Sequence, residues 1–124
     1  MKLKPSVSAL VILFISVSFT SNAMADYASH QFHYMEMELS KCKEIAYESA
    51  KKIGFKDIGT QDVASYNYSI VYGMDKEGYS FQYTCEPKKG FGYLIINGPR
   101  SDKRTELRDN LGDEIKKRAK IVSN

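Results

Sequence analysis

The chain has 124 residues, with 18 lysines and arginines against 15 aspartates and glutamates, a formal net charge of +3, nine tyrosines, no tryptophan and two cysteines. Two of the basic residues, Lys2 and Lys4, stand at the extreme N-terminus, so the remainder is close to neutral and lacks the concentrated basic surface that nucleic-acid binding demands. The length suits one small domain, of a size that profits from a covalent tie.

The opening stretch MKLKPSVSALVILFISVSFTSNAMADY has the three parts of a secretory signal: Lys2 and Lys4 as a positive start, an apolar run from Ala9 to Phe19, and the small-x-small site Ala23-Met24-Ala25. Ser16 and Ser18 interrupt the apolar run, which falls short of the roughly 18 to 20 residues of a bilayer span. The expectation is a signal peptide over residues 1–25 and a single domain over 26–124, periplasmic or secreted and without a stable membrane anchor after cleavage. No cysteine precedes Cys42, so the lipid-attachment cysteine of a lipoprotein is missing.

Residues 26–31 read as a mobile lead-in. From Phe32 the pattern alternates, with His33, Met35, Met37 and Leu39 on one side and Tyr34, Glu36 and Glu38 on the other, which predicts a half-buried strand. Met35, Leu39, Cys42 and Ala46 also fit helical spacing, but Ser40 is placed to cap a helix beginning at Lys41, which favours the strand. That helix puts Cys42, Ile45, Ala46, Ser49, Ala50 and Ile53 on one stripe; Lys51 and Lys52 suit its negative end and Gly54 its terminus. FKDIGTQDVA reads as a loop.

Three strands follow, at about residues 65–73, 78–85 and 90–97, joined by the turns MDKEG and EPKKG into an antiparallel meander. Tyr66, Tyr68, Ile70 and Tyr72 share one face of the first; Tyr79, Phe81, Tyr83 and Cys85 share one face of the second; the third is apolar on both. After NGPR a last helix runs from Asp102 to Ile121, with Ser101 as its cap and Leu107, Leu111, Ile115, Ala119 and Val122 as its stripe. Lys116, Lys117, Arg118 and Lys120 lie where the helix dipole favours cations.

An even cysteine count in an exported domain points to a disulfide, and two cysteines allow one intramolecular pairing, Cys42 to Cys85. Closing a loop of about 43 residues stabilises a fold by roughly 4 kcal/mol in the chain-entropy model. The expected class is α+β, a two-layer sandwich of order β-α-β-β-β-α, its sheet mainly antiparallel with both helices on one face. The layout of Cys42 and Ala46, Gly54-Phe55, Gly78-Tyr79, Cys85-x-Pro87-x-x-Gly90 and Gly98-Pro99 before an amphipathic helix resembles one that recurs among small exported bacterial proteins. The matching positions are structural, and no functional residue comes with them.

Chemistry is sparse. His30 and His33 have a His-x-x-His spacing, but with no helix to set it and no third ligand it makes a poor metal site, and no metal or cofactor is expected. Asp75 and Glu77 fall in a turn and Glu36 and Glu38 on a strand, as solvated charges. G-x-S-x-G, phosphate-loop and H-E-x-x-H motifs are missing. Tyrosine on an exposed sheet offers rigid amphipathic contact area, which makes Tyr34, Tyr66, Tyr68 and Tyr93 candidate partner-binding residues. The function expected is that of an exported non-enzymatic protein that binds a protein partner in the bacterial envelope, as an inhibitor or immunity protein to a toxin or effector. The alternatives are a small envelope-acting hydrolase working from Asp, Glu and His residues, and a binder of a small ligand or peptide.

Overall fold

A computed structural model describes residues 28–123, with side chains through residue 120. The expected signal sequence and its cleavage site lie outside these residues, as does the side chain of Val122.

The elements in chain order are β1 (Ala28–Tyr34), α1 (Leu39–Ile53), β2 (Lys56–Val63), β3 (Tyr68–Met74), β4 (Ser80–Glu86), β5 (Phe91–Asn97) and α2 (Ser101–Ser123), with a 3₁₀ turn at Pro87–Lys89. The five strands form one antiparallel sheet in the order β1-β5-β4-β3-β2. Strands β2 to β5 are a meander, and β1 closes against β5. The class is the α+β sandwich expected, with one strand more.

The additional strand is β2, formed by most of the segment read as a loop. Its side chains are mostly exposed, so it lacks the apolar alternation that betrays a half-buried strand; backbone pairing with β3 holds it. The first strand is also displaced. It occupies Ala28–Tyr34 rather than Phe32–Leu39, so residues 28–31 are strand and not lead-in. The parity was right, since His33 and Met35 are buried and Tyr34 and Glu36 exposed. The start was hidden because the inward residue before His33 is polar: Gln31 Oε1 accepts from His33 Nε2 at 2.6 Å.

Helix α1 begins at Leu39 with Glu38 as its cap, whose carbonyl receives the Lys41 and Cys42 amides at 3.1 Å. Ser40 therefore lies inside the first turn rather than capping it. Ser101 likewise lies inside α2, where the Arg104 amide reaches the Arg100 carbonyl at 3.0 Å. The C-terminal end of α1 is as expected: Gly54 adopts φ 115° and its amide is shared between the Ala50 and Lys51 carbonyls, a left-handed cap that glycine takes without a Cβ clash.

Both helices lie on one face, α1 across β3 and β4 and α2 across β1 and β5, and they pack against each other. Cys42, Ile45, Ala46, Ser49 and Ala50 of α1 are buried, as are Leu107, Leu111 and Ile115 of α2. Beneath them lie Val71, Phe81, Tyr83, Leu94 and Ile96. At the helix contact Glu114 accepts from Lys52 Nζ at 3.2 Å and from Arg118 Nε at 3.1 Å. The Cys42–Cys85 disulfide ties the first turn of α1 to β4, with Cα atoms 6.0 Å apart.

Candidate functional site

Among the described residues no helix covers the other face of the sheet. Strand alternation combined with the register turns His30, Phe32 and Tyr34 of β1 to this side, together with Phe91, Tyr93 and Ile95 of β5. From β3 come Tyr68, Ile70, Tyr72 and Met74. The rings of the first group touch: Phe32 to Tyr93 at 4.6 Å between centroids, Phe32 to Phe91 at 5.6 Å, and His30 stacked on Tyr93 at 5.5 Å. The Tyr93 hydroxyl is also hydrogen-bonded to His30 Nδ1. Between the two aromatic groups runs β4, which offers Ser80, Gln82, Thr84 and Glu86. Across β1, β5, β4 and β3 this face holds no lysine, arginine or aspartate. Its single carboxylate, Glu86, is paired with Lys89 at 3.6 Å. Most other charges of the described residues sit on the outer sides of the helices, on the edge strand β2 and in the turns.

Three of the four tyrosines singled out from the sequence, Tyr34, Tyr68 and Tyr93, share this face. Tyr34 is 98% exposed. Tyr66 lies in the turn between β2 and β3 rather than in a strand, yet its ring is 6.3 Å from that of Tyr68 and 76% exposed, so it borders the same surface. Sequence reasoning left out Phe32, 68% exposed, and with it His30 and Phe91. The signal available was β5 itself: a strand apolar on both sides, in a sheet with helices on one side, must present apolar groups to the other.

The histidines do not converge. Separated by three along an extended strand, His30 and His33 point to opposite faces, and both ring nitrogens of His33 are engaged inside the core. Its Nε2–H donates to Gln31, and its Nδ1 accepts from the Tyr83 hydroxyl at 2.9 Å. Asp75 shapes a turn: its Oδ1 receives the Glu77 and Tyr79 amides, each at 2.9 Å. A groove beside it is lined by Phe55, Lys56, Asp75, Glu77, Lys103 and Leu107, without a histidine. Among the described residues no three His, Cys, Asp or Glu side chains gather at a common point.

Burial lowers the pKa of His33 from 6.5 to about 4; the nearby Lys116 adds to this and Asp113 opposes it. Above pH 6.5 the ring is neutral in folded and unfolded chains alike. Below it the unfolded chain takes up a proton that the folded one refuses, so stability falls as the pH drops from about 6.5 to about 4 and then levels. The loss attributable to this residue is on the order of 2–3 kcal/mol. Urea titrations at pH 7, 5.5 and 4 should show a steeper decline for the natural chain than for His33→Gln; equal declines would clear His33 of the effect.

Compared with known protein families the chain matches none, and no curated protein matches it. Among the described residues no helix is long and apolar enough to cross a membrane.

Proposed function

We propose that this chain acts outside the cytoplasm as a non-enzymatic protein-binding domain, holding its partner on the open aromatic face of the sheet as an inhibitor or an immunity protein to an envelope-acting effector does. The supporting observation is the register, which puts Tyr34, Tyr68 and Tyr93 with Phe32, Phe91 and Tyr72 on one nearly uncharged surface. Strand spacing and rise give that face roughly 500 Å². The polar row of β4 divides it into two aromatic patches, and exposed apolar patches of a few hundred Å² are often functional. Depletion of charge with enrichment of tyrosine and phenylalanine is the composition of interface centres. The disulfide accords with export, because such bonds persist in oxidising compartments.

Buried aromatic anchors carry about 2 kcal/mol or more each. The double variant Phe32→Ser/Tyr93→Ser, two anchors whose rings touch, should therefore bind a partner recovered from envelope extract between about 30-fold (one anchor's worth) and about 1,000-fold (both in full) more weakly. Lys117→Ser, on the exposed outer side of α2, should change affinity less than about twofold. Binding undiminished in the double variant, or no stoichiometric partner under several growth conditions, would count against this reading.

A further inference from the structure

Of the two strands that end the sheet, only one is guarded. Strand β2 carries Lys56 and Asp62, a register irregularity between Lys56 and Gly59, and Asp57 at φ 52°. Asp62 is also tied to Lys43 of α1 at 2.8 Å and to Ser69 at 2.5 Å. Charges and bulges of this kind blunt an edge against further pairing. Strand β1, ASHQFHY, has no lysine, arginine, carboxylate or proline, and its register with β5 is unbroken from Ala28–Asn97 to Tyr34–Phe91. Among the described residues no strand lies on its outer side.

The outward hydrogen-bonding groups of β1 can be named. The Met35 amide donates to the Gly90 carbonyl at 2.9 Å. Antiparallel alternation then turns the backbone of Ser29, Gln31 and His33 toward β5 and that of His30, Phe32 and Tyr34 away from the sheet. These three residues also place their side chains on the open aromatic face. One row of positions thus offers unpaired amides and carbonyls at the edge and rings above it.

We infer that the β1 edge pairs antiparallel with β1 of a second copy of this chain, about a two-fold axis at Phe32, to give a continuous sheet twice as wide. In this register Phe32 meets its own counterpart and His30 meets Tyr34 of the second copy, so every directly opposed residue on the open face is aromatic. A symmetric contact demands a self-complementary surface. A strand without charge meets itself with no like charges opposed, and aromatic cross-strand pairs add to the backbone bonds. The second copy repeats on the outer side of β1 what β5 supplies on the inner side, where Phe32 packs on Phe91 and Tyr93. A single edge buries well under the roughly 800 Å² per partner of a stable interface, so the dimer is weak, with a dissociation constant on the order of 10–100 μM. It extends the open face without covering it and does not depend on the partner proposed above.

Sedimentation equilibrium of the mature, oxidised protein from about 1 μM to 1 mM should show a monomer passing to a dimer. Phe32→Pro removes an outward amide while leaving the β1–β5 ladder its bonds; it should shift the transition at least tenfold to higher concentration. Phe32→Thr, which deletes the ring but keeps the amide and suits a strand, should shift it several-fold less than proline does. Should proline compromise folding, amide chemical shifts of the natural chain give the same information. Concentration-dependent changes are expected at His30, Phe32 and Tyr34. A monomer throughout the range, equal effects of threonine and proline, or changes centred on Gln82 and Thr84 would each overturn the inference, the last by assigning a face-to-face contact.

Discussion

Removing the Cys42–Cys85 bond lowers the unfolding free energy by about 4 kcal/mol, the chain-entropy value for the 43 residues that separate the cysteines. Both residues are fully buried, one on the stripe of α1 and one in β4, and the bond crosses the interface between the two layers of the fold. Everything from the second turn of α1 through β2 and β3 belongs to the loop that it closes. In the unfolded chain the same loop must be closed at an entropic penalty if the tie is present, and is open if it is not. A small domain has a total stability of about 5–15 kcal/mol, so the loss approaches the whole in the weaker half of that range. With the urea dependence usual for small proteins, the midpoint should fall by about 1.3–4 M on reduction or in Cys42→Ala/Cys85→Ala. Coincidence of oxidised and reduced curves to within about 0.5 M would show that packing alone holds the layers together.

The second large effect is centred on Tyr83. Its ring is fully buried, it lies across the inner face of β5 at Gly92, and its hydroxyl reaches His33. Burial pushes the phenol pKa up, so the group is a neutral donor at any ordinary pH. Tyr83→Ala should cost about 3–5 kcal/mol, because a cavity replaces the ring and His33 Nδ1 loses its donor. Tyr83→Phe, which loses the hydrogen bond alone, should cost about 1–2 kcal/mol. A Cβ at position 92 would overlap the phenol oxygen and Cζ of Tyr83, and a buried ring has nowhere to retreat. Gly92→Ala therefore costs about 2–3 kcal/mol in the natural chain and nearly nothing once Tyr83 is alanine. A double-mutant cycle by urea unfolding should give a coupling of at least about 2 kcal/mol. Additive costs would mean that Gly92 is needed for its own backbone and not for the ring above it.

How far the sequence foretells this structure depends on where each signal was written. In α1 the apolar stripe, the cationic last turn and Gly54 agree, and the buried face and C-terminal end are as read, while the start lies two residues earlier, at Leu39. In β4 the alternation of Phe81, Tyr83 and Cys85 is strict, so its inner face and the disulfide partner follow together. Strand β2 obeys backbone pairing more than side-chain pattern: Thr60, Gln61 and Asp62 carry no periodic signal, and its partner β3 is the reason it is a strand. The beginning of β1 is concealed by Gln31, a polar residue facing inward because His33 answers its amide oxygen. The candidate surface was half legible for a related reason. Tyr34, Tyr68 and Tyr93 could be named as tyrosines of expected strands, but the face they occupy is set by the pairing between strands. Phe32 and Phe91 emerge only when β1 is set beside β5, a neighbour 57 to 61 residues away along the chain in the pairs Tyr34–Phe91 and Phe32–Tyr93.

The turn Ala64–Asn67, exposed at every residue, is the sort of site at which proteases nick a folded chain. It falls inside the segment closed by Cys42 and Cys85. A cut there severs the polypeptide without releasing either fragment, since the sulfur bridge still tethers them and β2 and β3 stay bonded on either side of the break. The sulfur bridge would thus keep the domain in one piece after a cut at this exposed turn, a form of endurance that a reducing compartment would take away.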